Sequence, residues 1–377
     1  MKIVADHHIP YVKEFFSAQG ELSLKPGRAI THADVKHADL LLVRSVTPVD
    51  EALLTNTTIK FVGSVTAGTD HLDTAWLDAA GIPWATAAGF NAPPVADYVV
   101  STIAALQRKS LLLPGLTRKA AVIGVGQVGR LVAEKLITLG FSVLLCDPIR
   151  AEQEIDFVST AIENISDVDL ICLHVPLTKK QRYATYHLID ETFLRRQKLG
   201  CVLLNASRGA VIDTAALLQH GTHLHWCLDV FEHEPHINQT VLAQALITTP
   251  HIAGYAAQSK LRGTEHIYQA ACAKKIMTPA AKKSPIEITM PRQRLTFAGG
   301  NHHWQDIVLG VFNPLIMTAM MKTQLLAAND AGHRFDELRH QFRYRHEFAF
   351  TEIDTQVVEA DKAILKKLGF LVPDVAE

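Results

Sequence analysis

The chain has 377 residues, 48% of them hydrophobic and 20% charged, enough apolar material for a large core divided over two or three domains. Its 37 Lys and Arg stand against 38 Asp and Glu, a net charge of -1 that offers no long-range field to nucleic acid or an anionic membrane. Met1-Lys2-Ile3-Val4-Ala5-Asp6 reaches an acidic residue before any signal-like apolar core forms, and no charge-free apolar stretch is long enough to span a bilayer, so the cytoplasm is the expected compartment.

In residues 1–92 the runs Lys2–Ala5, Asp39–Val43 and Ile59–Gly63 read as strands separated by helical stretches, the pattern of an open parallel sheet. Pro93-Pro94 then introduce a largely apolar helix over Val95–Gln107. The βα rhythm resumes near residue 119 and continues to 254, with Val143–Cys146, Asp169–Leu173, Gly200–Leu204 and Trp226–Val230 as further buried strands. A second helical stretch over Tyr255–Ile276 is placed to return the chain to the first unit, so 255–284 completes residues 1–92 and 93–254 forms the second domain. From 285 to 377 the character changes. An extended piece near Ile286–Met290, one long apolar helix over Asp306–Leu326 and a charged aromatic run from Phe335 to Phe348 predict a small α+β domain. The helix places Ile307, Val308, Val311, Phe312, Leu315, Ile316, Ala319 and Met320 on one wide apolar face, which predicts a partner surface, the alternative being that it packs entirely against the substrate domain within one chain. The fold class is therefore α/β, two doubly wound parallel-sheet domains with a small carboxy-terminal domain.

Gly124-Val125-Gly126-Gln127-Val128-Gly129 follows an apolar strand and opens an amphipathic helix, and Asp147 ends the next strand. That arrangement reads as a nicotinamide dinucleotide site. Gly124 permits the tight turn, Gly126 the approach of backbone to pyrophosphate, and Gly129 the close packing of helix on strand; Asp147 is the ribose anchor and selects NAD. The helix N-terminus adds its N–H groups and dipole.

In such a sheet the ligand lies beyond the carboxyl ends of the strands, which draws attention to Arg208, Glu234 and His251. Histidine suits a base that takes a hydroxyl proton near neutral pH, and arginine's planar fork matches a carboxylate in two hydrogen bonds. A carboxylate behind the imidazole fixes its tautomer and favours its charged form. Together they suit hydride transfer from a 2-hydroxy acid. The five cysteines, Cys146, Cys172, Cys201, Cys227 and Cys272, form no CxxC pair and read as buried thiols. His7-His8 and His302-His303 have no third ligand at fixed spacing, so no metal is expected, and Met317, Met320 and Met321 are explained by packing.

Four segments carry a family resemblance: the nucleotide motif, Asn205–Asp213, Leu228–Pro235 and Thr249–Gly254. On these the chain resembles the D-2-hydroxyacid dehydrogenases over residues 1 to about 280. The resemblance implies a Rossmann-type NAD domain, a flavodoxin-like substrate domain, Arg208 as substrate ligand, Glu234 as support of the histidine and His251 as acid/base. It also implies that Gln127 and Val128 join the glycines at the cofactor, that Asp229 and Gly254 line the nicotinamide, and that the Thr66–Asp70 loop faces the substrate carboxylate. Leu42–Thr47, His251–Tyr255 with Lys260 and Arg262-Gly263-Thr264, and Phe335–Arg339 with Tyr344-Arg345 resemble a narrower group within the family. That likeness implies a phosphorylated 2-hydroxy acid as substrate, Ser45, Thr66 and Tyr255 as its contacts, and a homodimer formed through the carboxy-terminal domain. Arg44, Arg339, Arg343 and Arg345 are the candidate phosphate ligands. Another D-2-hydroxy acid as substrate, or a nucleotide-sensing scaffold without catalysis, are the alternatives.

Overall fold

The computed structural model describes residues 1–112, 118–180, 182–278 and 292–373. They form two compact units, one of Met1–Asn91 with the stretch that begins at Ala257, the other of Ala92–Ala256 with the carboxy-terminal residues.

The first unit is built on a five-stranded parallel sheet, β1 (Lys2–Asp6), β2 (Glu21–Lys25), β3 (Leu40–Val43), β4 (Phe61–Ser64) and β5 (Trp84–Thr86), in the order β2-β1-β3-β4-β5. Its central strands are buried on both sides because parallel strands need helices over both faces. Leu40 and Leu42 join one core with Phe15, Phe16 and Ile267, while Leu41 and Val43 join the opposite core with Val35 and Leu77. Gly63 is required here: a Cβ would lie 2.4 Å from Ile267 Cγ2 of the helix Ala257–Ala273.

The second unit has six parallel strands, β6 (Lys119–Ile123), β7 (Ser142–Cys146), β8 (Leu170–Leu173), β9 (Val202–Asn205), β10 (His225–Leu228) and β11 (Ile247–Thr248), in the order β11-β10-β9-β8-β6-β7. The chain reverses its direction of travel across the sheet at β6, whose neighbours are β7 and β8; this is the crevice where ligands bind in sheets of this kind. The helix Ala92–Arg108 takes Pro93 and Pro94 into its first turn, where their missing N–H groups cost nothing.

The carboxy-terminal segment packs on both faces of this second sheet. Trp304, Ile307, Val308, Phe348 and Leu365 share a core with Ile103, Val122 and Leu136, while Met321, Leu325, Phe335 and Leu338 share the opposite one with Ile123, Leu228 and Val241. Its own sheet is a parallel pair, β12 (Gln293–Leu295) with β13 (Thr351–Ile353); the extended piece expected near Ile286–Met290 lies outside the described residues. The single helix expected over Asp306–Leu326 is two, Trp304–Val311 and Pro314–Leu325. Pro314 forces the break: the preceding residues turn extended, and the Asn313 side chain caps the new helix by accepting from Leu315 N. The expected wide face is divided accordingly, with Ile307 and Val308 fully buried but Ile316 62% and Met320 41% exposed.

All five cysteines are free thiols, Cys272 alone partly exposed. No helix among the described residues is long and apolar enough to cross a membrane.

Candidate active site

The dinucleotide turn grows out of β6. Gly124 adopts φ +86°, and a Cβ there would meet the His174 carbonyl oxygen at 2.7 Å. At Gly129 a Cβ would stand 1.9 Å from the Gly124 carbonyl oxygen, so only glycine lets the helix Gln127–Thr138 start this close to the strand. Around Gly126 a Cβ would meet nothing within 4 Å, and the helix N-terminus opens onto free space. Beside it lies a cavity of about 710 Å³ bordered by Gly124, Asp147, Ser159, His174 and Thr178. These residues fit a dinucleotide: a flat glycine turn, unobstructed amides, and a carboxylate at the end of the second strand.

Asp147 is fixed before any ligand arrives. Its carboxylate accepts from Val125 N at 2.8 Å and from Arg150 N at 3.0 Å, and its own N–H donates to Ser159 Oγ at 2.9 Å. Arg150, a nearby cation that would welcome a 2'-phosphate, is engaged elsewhere. Its Nε donates to both Glu154 oxygens at 2.9 Å, its Nη1 donates to Val125 O at 3.1 Å, and it covers the Phe157 ring.

His174 is the residue that the sequence reading missed. It directly follows β8, and both ring nitrogens are buried without a hydrogen-bond partner; burial pushes the imidazole down to about 3, so it stays neutral. The same strand-end rule that singled out Arg208 would have found it.

On the far side of the sheet, Glu234 and His251 meet directly: Glu234 Oε2 lies 2.8 Å from His251 Nδ1, and Glu234 Oε1 accepts from Phe231 N at 2.8 Å. Burial works against the ionised form of Glu234, but the adjoining imidazole and the Arg339 charge outweigh it and hold the carboxyl below its ordinary range. Arg208 sits on a turn after β9 in which Asn205 Nδ2 donates to Arg208 O at 2.9 Å and Asn205 Oδ1 accepts from Ser207 N at 3.0 Å. Gly209 lets that turn lie against Phe231, whose carbonyl carbon would be 1.9 Å from a Cβ there.

The loop after β11 carries His251, Gly254 and Tyr255. Buried Asp229 organises it, accepting from Thr249 Oγ1 at 2.6 Å, Ile252 N at 2.8 Å and Ala253 N at 2.9 Å. Tyr255 OH accepts from Arg339 Nε at 2.9 Å. In the first unit, Ser45 is exposed just past β3, and Thr66 lies just past β4 with its Oγ1 2.7 Å from Ser64 Oγ.

Two of the candidate phosphate ligands are committed elsewhere. Arg44 Nε donates to the buried Asp6 carboxylate at 2.8 Å, and Arg345 is buried on backbone carbonyls. Asp6 also supplies the third ligand atom that the His7-His8 pair lacked in sequence, all three lying within 4.8 Å, although Arg44 already balances that carboxylate.

Comparison with known proteins gives the class. Residues 105–253 match the NAD binding domain, and residues 2–113 the catalytic domain, of the D-isomer specific 2-hydroxyacid dehydrogenases. The chain belongs to that family, and its second unit carries an NAD-binding domain. Among individual relatives, the erythronate-4-phosphate dehydrogenase of Coxiella burnetii (strain RSA 331 / Henzerling II) is 44% identical over 367 residues, 97% of this chain and 98% of the relative. The enzyme of the same name from Enterobacter sp. (strain 638) is 39% identical over 381 residues, 98% of each chain. A D-lactate dehydrogenase from Aquifex aeolicus, solved with NAD and lactic acid, shares the fold at a TM-score of 0.59 and 24% identity; the match covers 73% of this chain and 96% of that one.

Proposed function

We propose that the chain oxidises 4-phospho-D-erythronate to (R)-3-hydroxy-2-oxo-4-phosphooxybutanoate with NAD, a reaction of pyridoxine 5'-phosphate (vitamin B6) biosynthesis. The substrate follows from the relatives' common name and near full-length identity, carboxy-terminal segment included. The chemistry rests on one observation, the 2.8 Å contact between Glu234 and His251 beyond the strand ends of a dinucleotide sheet.

With Glu234 ionised, His251 carries its proton on Nδ1 and presents Nε2 as a base. Arg208 holds the substrate carboxylate in a two-point pairing and orients the C2 hydroxyl toward that nitrogen. His251 takes the hydroxyl proton, and Glu234 stabilises the imidazolium that results. Bound NAD supplies the acceptor for the hydride that leaves C2, so the substrate loses two electrons and two hydrogens in all. Ser45, Thr66 and Tyr255 are the substrate contacts, with the Tyr255 hydroxyl oriented by Arg339. Gly124, Gly126, Gln127, Val128 and Gly129 hold the pyrophosphate, Asp147 the ribose, Asp229 and Gly254 border the nicotinamide, and His174 offers its unpaired nitrogens to the cofactor.

The chain acts as a homodimer formed through its carboxy-terminal region, where Ile316 and Met320 stand exposed one helical turn apart. Five free thiols accord with the reducing cytoplasm. The test is product identity: 4-phospho-D-erythronate and NAD should give one NADH per molecule of a product two hydrogens lighter that keeps its phosphate. Absence of that product, with NAD bound, would overturn the reading.

A further inference from the structure

The loop that carries His251 has no regular secondary structure, and His251 itself adopts φ +56°, a conformation that costs an L-residue on the order of 1 kcal/mol or more. Such a loop holds one geometry only if its surroundings over-determine it. Here they do so from two sides. Asp229 takes the N–H groups of Ile252 and Ala253, and Arg345 takes the carbonyls of the same two residues: Nη1 donates to Ile252 O at 3.2 Å, Nη2 to Ala253 O. The two residues following His251 are thus clamped between a carboxylate and a guanidinium.

Arg345 is itself held firmly. It is 6% exposed, covers the Phe312 ring at 4.8 Å, and reaches Pro94 O at 2.7 Å in the first turn of the helix Ala92–Arg108. Burial opposes its charge, and the nearby carboxylates of Asp97 and Asp229 favour it. Asp97, whose charge favours the arginine, is itself fixed by Lys135 Nζ at 2.9 Å and by Phe348 N at 2.9 Å, while Arg345 Nε is buried without a partner. Such groups are retained at a cost in desolvation.

We infer that Arg345, contributed by the carboxy-terminal segment, is a positioning residue for His251, which makes that segment part of the catalytic unit as well as a surface for assembly. The inference rests on the reading of His251 as the acid/base. The Aquifex enzyme places 96% of its length on 73% of this chain, so part of this chain has no counterpart in it. In this protein the segment has been built into the loop that carries the base.

The experiment compares full-length Arg345→Met, which keeps the bulk and loses the donors, Arg345→Lys, which keeps the charge but replaces the planar fork by a single nitrogen, and His251→Asn. Measured are kcat on 4-phospho-D-erythronate, the Kd for NAD, and the melting temperature. The expected order of kcat is wild type, then Lys, then Met, the last lower by roughly ten- to a hundredfold, the size of effect that misplacement of a reacting group by about 1 Å produces. The Kd for NAD should change less than about threefold, because the pyrophosphate and ribose contacts at Gly124–Gly129 and Asp147 lie outside the clamped loop. Wild-type kcat in Arg345→Met overturns the inference. So does an equal loss of kcat, NAD affinity and melting temperature in both arginine variants, which is the signature of a merely structural role. If Arg345→Met does not fold, Arg345→Lys decides alone: reduced kcat with unchanged NAD affinity supports the inference, and wild-type kcat overturns it. Near-normal turnover in His251→Asn instead removes the reading of His251 on which the inference rests.

Discussion

The phosphate turn and the His251 loop belong to the same unit and are held in opposite ways. The turn is largely local: Gly124, Gly129 and Asp147 lie within 24 residues, Gly129 answering to the Gly124 carbonyl and Asp147 to Val125 N, although Gly124 also abuts the His174 carbonyl. The loop is assembled from afar. Its geometry depends on Asp229, on Tyr98, whose hydroxyl is 2.8 Å from Thr249 Oγ1, and on Arg345, 92 to 93 residues away in sequence. A cofactor site can therefore be conferred by a short motif, whereas placement of a base needs the whole unit.

The largest effect should come from removing the base itself. His251→Asn is expected to lower kcat by about 10²- to 10⁴-fold, the usual contribution of a positioned acid/base group, while NAD affinity holds. Loss of NAD affinity in that variant would break the distinction between the two regions.

Asp147→Ala sharpens the comparison from the other side. Removing a carboxylate that accepts a ribose hydroxyl should weaken NAD by roughly tenfold and leave kcat near normal. NADP should gain relative to NAD, and gain further when Glu154→Ala frees Arg150. Unchanged preference in both variants would show that cofactor choice lies elsewhere.

Glu234→Gln tests the link between local chemistry and assembled geometry. Its carboxyl is held below the ordinary range in the folded chain, so its contribution to stability is fully present above the unfolded-state pKa and is lost as pH falls through the folded one. Unfolding midpoints measured from neutral to acid pH should fall less steeply in Glu234→Gln than in wild type, and its kcat should drop by about tenfold. Parallel acid profiles would mean that the pair adds nothing to the fold.

The smallest effect on turnover should come from Ile316→Lys with Met320→Lys. Sedimentation should change from dimer to monomer with kcat within about twofold, since exposed positions away from the loop rarely disturb it. A dimer that survives both substitutions would place the interface elsewhere.

The same division explains what could be read in the sequence. Buried strands such as Leu40–Val43 and Leu170–Leu173 were legible because both faces are covered and the apolar run is continuous. Glu21–Lys25 and Trp84–Thr86 were not read as strands, because each is an edge strand with a mixed, half-exposed sequence. Pro314 was visible and should have split the helix over Asp306–Leu326; apolar periodicity on either side disguised it. Arg208, Glu234 and His251 could be picked out because each follows a strand. Arg345 looked like a phosphate ligand because nothing in its neighbourhood along the chain reveals that its Nη1 and Nη2 donate to the carbonyls of Pro94, Ile252 and Ala253.

The most direct test of the account is selectivity for the substrate phosphate, measured as kcat/KM from NADH formation on 4-phospho-D-erythronate, D-erythronate and 3-phosphoglycerate. A site built around a phosphate leaves charged groups unpaired when it is missing. The account predicts that 4-phospho-D-erythronate is favoured over both by orders of magnitude, on the order of 10³ or more against the unphosphorylated acid. Equal efficiency on erythronate and its phosphate, or a clear preference for 3-phosphoglycerate, would contradict it.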